Sequence, residues 1–131
     1  MFGQPIDYFN YVNTPDEFKP KNYIKVDKDM QKSIDCFAIK TYFKKVDGND
    51  YQNIVIYLGF TDGTFTYFKS PANSKILGQF CKEFNIIIDR NVEKYDYYPI
   101  DVPMRIVFNS ENKVSKSGKP YPVFWVTSVE N

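Results

Sequence analysis

Three lysines at a spacing of three, Lys113, Lys116 and Lys119, lie in the stretch Ser110-Glu-Asn-Lys-Val-Ser-Lys-Ser-Gly-Lys-Pro120, which is best suited to chemistry. A lysine ammonium is a compact cation with three rotatable donors, so it takes phosphate oxygens without demanding a fixed geometry. Serine and asparagine add neutral hydrogen-bonding groups, and Gly118 and Pro120 punctuate a turn. The chemistry on offer is anion binding rather than bond making. Catalysis has no comparable candidate. The chain has no histidine, and so lacks both the commonest general base and the commonest metal ligand. It carries no P-loop, no G-x-S-x-G, no HExxH and no metal-spaced cluster. Acids such as Asp47, Asp50, Asp96 and Asp101 fit turns and solvated loops. The expectation is a non-enzyme with no metal and no cofactor.

The lysines need elements to hold them. Residues 104–109 and 121–129 are rich in β-branched and aromatic types and read as two strands, with 110–120 as a long basic loop between them. Upstream, residues 34–46, 51–60 and 64–69 read as a three-stranded meander, joined by turns at Asp47-Gly48 and Asp62-Gly63. Residues 72–84 place Ile76, Leu77, Phe80, Cys81 and Phe84 on one helical face, with Asn73 or Ser74 to cap it. Residues 85–102 are ambiguous, and the acid-rich part, 89–101, reads as loop. The chain is thus expected to be mainly β with one helix, in the order β-β-β-α-β-β. That is the order of an OB-fold, a five-stranded Greek-key barrel whose ligand face uses its second and third strands and the loops 1–2 and 4–5. The basic loop then falls where the fold places a ligand-gripping finger.

Strand alternation sorts the meander into two faces. Phe37, Ile39, Ile54, Ile56, Leu58 and Phe60 form a core set, opposed by Lys40, Tyr42 and Lys44 and by Tyr51, Asn53, Val55 and Tyr57. In the third strand, Phe65, Tyr67 and Lys69 share a face. In the last, Tyr121, Val123 and Trp125 oppose Phe124 and Val126. Lysines interleaved with flat rings are what single-strand binders use, since cations track phosphates while rings stack bases. The candidate contacts are Lys40, Tyr42, Lys44, Tyr57, Tyr67, Lys113, Lys116 and Lys119, together with Trp125. Each residue alone has a simpler explanation, as cross-strand packing for a tyrosine or a solvated edge guard for a lysine. Their coincidence on one face beside a basic loop favours binding.

Length fits one domain with an extension. Residues 34–131 read as the barrel domain. Residues 1–33, broken by Pro5, Pro15 and Pro20 yet carrying Phe2, Tyr8, Phe9, Phe18 and Tyr23, read as an arm. It either packs on its own domain or is exchanged between subunits, which would give self-association. The net charge of +1 excludes a global electrostatic magnet and requires any anion site to be local. Cys36 and Cys81 have no metal or redox spacing and read as buried small apolar residues. With no signal peptide and no membrane-length apolar run, the expectation is a cytoplasmic protein with reduced thiols.

The ending Met104-Arg-Ile-Val-Phe108, then Lys116-Ser-Gly-Lys119, then Tyr121-Pro-Val-Phe-Trp-Val126 resembles the closing hairpin of phage single-stranded DNA-binding proteins, in particular those of small protein-primed podophages. The resemblance implies a protein that coats and protects displaced single strands during phage genome replication, in the host cytoplasm. It departs from bacterial single-strand binders, which end in an acidic tail, whereas this sequence runs straight from a strand to Asn131. The alternative reading is a non-catalytic protein-binding module, such as a phage-encoded inhibitor of a host enzyme, motivated by the near-neutral charge and the aromatic arm.

Overall fold

The two Asp-Gly pairs set the architecture. Asp47 and Gly48 both have left-handed backbones (φ 52° and 80°), the geometry that joins two twisted strands through a two-residue turn. Gly63 is also left-handed (φ 85°), and the Asp62 carboxylate accepts from the Thr64 amide and hydroxyl to close the second turn. A computed structural model describes residues 14–70, 73–89 and 91–128. After a 3-10 turn at Asp16–Phe18, the elements are β1 (Asn22–Tyr23), β2 (Gln31–Val46), β3 (Asn49–Phe60), β4 (Thr64–Lys69), α1 (Ser74–Glu83), β5 (Lys94–Val114) and β6 (Pro120–Ser128).

They form one sheet in the order β1-β4-β3-β2-β5-β6. The meander is β2-β3-β4, and β5 returns to lie beside its first strand, which is the Greek-key arrangement. The sheet curls. Phe68 of β4 and Phe124 of β6 stand near opposite margins of the strand order, yet their rings lie 5.1 Å apart. Among the described residues the result is mainly β with one α-helix, an OB-like half-barrel. These residues form six strands rather than the expected five, because Asn22–Tyr23, read as part of the arm, pairs in parallel with Thr64 and Phe65.

Among the described residues no ladder joins β4 to β6, and α1 covers that side. The Gln79 side-chain amide donates to the Val126 carbonyl and accepts from the Val126 N–H, both at 2.8 Å, as a neighbouring strand would. The Asn73 carboxamide oxygen accepts from the Phe124 N–H at 3.2 Å. Asn73, one of the two capping candidates in the sequence, holds the N-cap position, but its side chain makes no cap bond to α1 and instead satisfies part of the free edge of β6.

Two expected loops are strand. The acid-rich stretch 89–101 contains the first third of β5, where Tyr95 and Tyr97 pair with Lys40 and Ala38. Counting acids hid an alternating pattern whose aromatic members are the informative ones. The basic loop 110–120 is also largely ladder, paired from Ser110↔Phe124 to Val114↔Pro120, so the connection shrinks to residues 115–119. The Ser115 N–H bonds to the Lys119 carbonyl and the Gly118 N–H to the Ser115 carbonyl, both at 2.9 Å, with Gly118 left-handed at φ 82°. Pro99 and Pro103 border a wide bulge in β5, where β2 steps from Cys36 to Ile34 while β5 steps from Pro99 to Met104. Missing proline donors are tolerated where the ladder is already interrupted.

The inner face holds the main core. Ile34, Phe37, Ile39, Ile54, Ile56, Leu58 and Phe60 pack with Phe68, Ile106 and Phe108, and Ile76, Leu77 and Phe80 of α1 close the cluster. Strand parity follows the sequence reading in β2, β3, β4 and β6. Phe124 and Val126 pack on the core, whereas Tyr42, Tyr57, Phe65 and Tyr67 gather on the other face. The arm reading spans residues 1–33, of which 1–13 lie outside the described residues. Phe18 and Val26 are buried in the domain, and β2 begins at Gln31, ahead of Ile34.

Candidate nucleic-acid interface

Cross-strand register arranges the outer face in rows. One row runs Tyr97, Ala38, Tyr57, Tyr67 across β5, β2, β3 and β4. The next runs Tyr95, Lys40, Val55, Lys69. Beyond it, toward the β2–β3 turn, come the pairs Tyr42–Asn53 and Lys44–Tyr51. Above the first row lie Cys36, Gly59 and Phe65. Three lysines and a set of phenol rings thus share one face in neighbouring rows, because successive same-face residues on neighbouring strands are nearest neighbours.

The rows differ in access. Tyr57 is only 7% exposed, because Phe18 of the 3-10 turn covers it with ring centroids 5.6 Å apart. Phe18 also touches Phe65 at 5.8 Å and Tyr97 at 6.0 Å. Tyr67 sits at the margin, 5.8 Å from Tyr57 and 5.5 Å from Tyr23, with the Lys69 ammonium 5.9 Å from its ring centre. The rows toward the turn are open. Lys44 and Lys69 are exposed, Lys40, Tyr42 and Tyr95 are half-buried, and Tyr51 is 54% exposed. Four of the predicted contacts, Lys40, Tyr42, Lys44 and Tyr67, therefore stand together on accessible surface, and Tyr57 lies beneath a cover. Sequence reasoning put Tyr51 and Lys69 on this face without counting them as contacts. It missed Tyr95, which was hidden among the acids of 89–101.

The remaining predicted residues lie elsewhere. Gln31 pairs with Val107, so β5 and β6 run on past the start of β2 as a two-stranded ribbon, away from the β2–β3 turn. About fifteen residues of strand separate Lys40 from Lys113, roughly 50 Å measured along the backbone at about 3.3 Å per residue. Lys113, Lys116 and Lys119 are exposed on that ribbon, and Lys113 makes a long 3.9 Å contact with Glu111. Trp125 is half-buried on β6, with the Lys75 ammonium 4.2 Å from its ring centre, a cation–π contact that occupies one face of the indole. The predicted contacts are thus divided between the sheet face, the β5–β6 ribbon and the Trp125–Lys75 pair beside α1.

Electrostatically the outer face is soft. Burial raises the hydroxyl pKa of Tyr57 to about 12, and burial with a Cys36 hydrogen bond does the same for Tyr97. Burial and a 2.6 Å bond to the Glu17 carboxylate hold the Tyr95 hydroxyl well above its ordinary value. These phenols are neutral, hydrogen-bonding rings at ordinary pH. Both cysteines are unpaired, and burial raises their thiol pKa values, which keeps them in the less reactive protonated form. Among the described residues no group of three or more Cys, Asp or Glu could hold a metal ion, and no helix is long and apolar enough to cross a membrane. No protein-family model matches the chain, and neither a curated protein nor a solved structure matches it.

Proposed function

We propose that this chain is a non-catalytic, sequence-tolerant binder of single-stranded DNA that coats and protects displaced strands during phage genome replication. One observation carries the reading. Lys40, Lys44 and Lys69 alternate with Tyr42, Tyr51, Tyr67 and Tyr95 on the accessible half of an OB-like ligand face. The ammonium groups neutralise phosphates while the phenol rings stack bases, at about 1–3 kcal/mol per stacked base. The β5–β6 ribbon, with Lys113, Lys116 and Lys119, extends the phosphate track from the far end of the sheet.

Two variants test the surfaces separately. Changing Lys40, Lys44 and Lys69 together to Ala is expected to weaken oligo-dT binding and flatten its salt dependence by about two units of slope, as roughly 0.7 unit is lost per phosphate contact on a single strand. The Lys113, Lys116 and Lys119 triple Ala variant is expected to weaken all base sequences alike. Unchanged affinity in the first variant rejects the sheet face, and unchanged affinity in the second removes the ribbon from the site.

A second reading has its own observation. A groove of about 670 Å³ lies between α1 and β3, lined by Tyr51, Ile54, Leu77, Cys81, Ile86 and Ile88, beside a nearly fully exposed Ile87. This favours a protein-binding module such as an inhibitor of a host enzyme. It predicts no oligo-dT affinity at low salt, together with a stable partner recovered by pull-down.

A further inference from the structure

Phe18 is fully buried, yet it lies on the face that carries the candidate stacking rings rather than in the main core. Its seat is a slot. Ala38 and Gly59 supply a low floor, Tyr57 and Phe65 stand around one part of the ring, and Tyr97 meets it edge-on at an interplanar angle of 75°. Gly59 is required by that closeness, since a Cβ there would collide with the Cys36 sulfur and come 3.2 Å from the Phe18 ring. The slot adjoins the open rows through Tyr57, which pairs with Tyr67.

The segment that fills it is attached by side chains. The backbone hydrogen bonds of residues 15–21 run within the segment, from Phe18 to Pro15, Lys19 to Asp16 and Lys21 to Phe18. Ladder bonding to β4 starts only at Asn22 and Ile24. Besides the Phe18 ring, its attachments to the sheet include the Tyr95 hydroxyl donating to Glu17 at 2.6 Å, and the Lys21 ammonium donating to the Phe60 carbonyl at 2.6 Å and to Asp35 at 3.4 Å. Such a segment can lift without breaking a strand. It also carries two exposed carboxylates directly before the aromatic ring, Asp16, which pairs with Lys19 at 2.9 Å, and Glu17, which accepts from Tyr95, so that negative charge and a flat apolar group follow one another as in a nucleotide.

We propose that the Phe18 slot is a nucleobase subsite of the single-strand face, and that Asp16–Phe18 fills it as an internal nucleotide mimic which bound single strand displaces. The inference rests on the nucleic-acid reading above. The phenyl ring stands in for a base and the two carboxylates for flanking phosphates, so the free protein presents only the rows toward the β2–β3 turn. Displacement opens the slot and lengthens the bound footprint.

Amide hydrogen exchange on the full chain, with and without saturating oligo-dT, reads the displacement. Residues 15–21 are expected to exchange faster in the complex while β2 and β3 become protected. A second measurement avoids removing the buried ring. The double variant D16N/E17Q is expected to bind oligo-dT five- to tenfold more tightly than the wild type. The charge control E83Q/D101N, which alters exposed acids outside the face, is expected to gain no more than twofold. Unchanged or increased protection of 15–21 in a complex that anisotropy shows to be formed overturns the displacement, and equal gains in the two variants overturn the mimicry. Absence of any oligo-dT binding by the wild type fails earlier, at the nucleic-acid reading itself.

Discussion

The two faces of one sheet are closed in different ways. The inner face is built mainly from aliphatic side chains and phenylalanines, with Tyr98 packed at its margin, and is sealed by α1, whose Ile76, Leu77 and Phe80 reach into it. The outer face is built from tyrosines, lysines and small residues. A segment without ladder bonds seals one half of it, and the other half is open. Hydrocarbon without polar atoms specifies a permanent core. Phenol rings accept an apolar neighbour, a hydrogen bond or water, and so suit a surface whose occupant changes. The contrast separates what holds the fold from what the fold presents.

The largest expected effect compares one buried phenylalanine from each face. Phe37 is surrounded by Phe80, Phe84 and Tyr98 at ring separations of 5.4, 4.7 and 4.8 Å, and Phe37→Ala leaves an enclosed cavity, costing about 3–5 kcal/mol. Phe18→Ala opens a slot that water can enter, so it forfeits the transfer free energy without a cavity, about 2–3 kcal/mol. Urea denaturation of both variants measures the difference, and equal losses would make the outer cover part of the core. Gly59→Ala comes next. Its Cβ collides with the Cys36 sulfur and presses on Lys21 and Phe18, so a loss of about 1–3 kcal/mol is expected, with residues 15–21 loosened first in hydrogen exchange. Uniform loosening across both faces would contradict the division.

The smallest effect is one of pH. Tyr57 and Tyr97 on the outer face have hydroxyl pKa values raised to about 12 in the folded chain. A raised folded value means that their contribution is complete below the ordinary phenol pKa of about 10 and is lost as pH climbs from there through about 12. Ultraviolet titration of phenolate should show delayed ionisation, with release of the outer cover in that window while the inner face holds. Loss of both faces in a single step would count against the comparison.

The same contrast explains what the sequence discloses. Inner positions of β2 and β3 repeat with a period of two, and the Asp-Gly turns declare themselves by residue type, so the meander and its two faces can be read directly. The helix is legible from Ile76, Leu77 and Phe80. Lys40, Tyr42, Lys44 and Tyr67 are recoverable as a group because parity alone places them together. Phe18 is not, because a single aromatic between Pro15 and Pro20 has no period to locate it. Tyr95 is obscured because its neighbours Glu93, Asp96 and Asp101 resemble a solvated loop until register with β2 is known. The separation of the ribbon lysines from the sheet lysines depends on how far β5 outruns β2, which no local pattern encodes.

The central claim is that the open outer face binds single strands through phosphates and stacked bases. Fluorescence anisotropy of a labelled oligo-dT of about thirty nucleotides, titrated at low and at higher salt with a duplex of equal length alongside, tests it most directly. The account predicts tight, salt-sensitive binding to the single strand and much weaker binding to the duplex. Flat titrations at low salt, or equal affinity for the duplex, would contradict it.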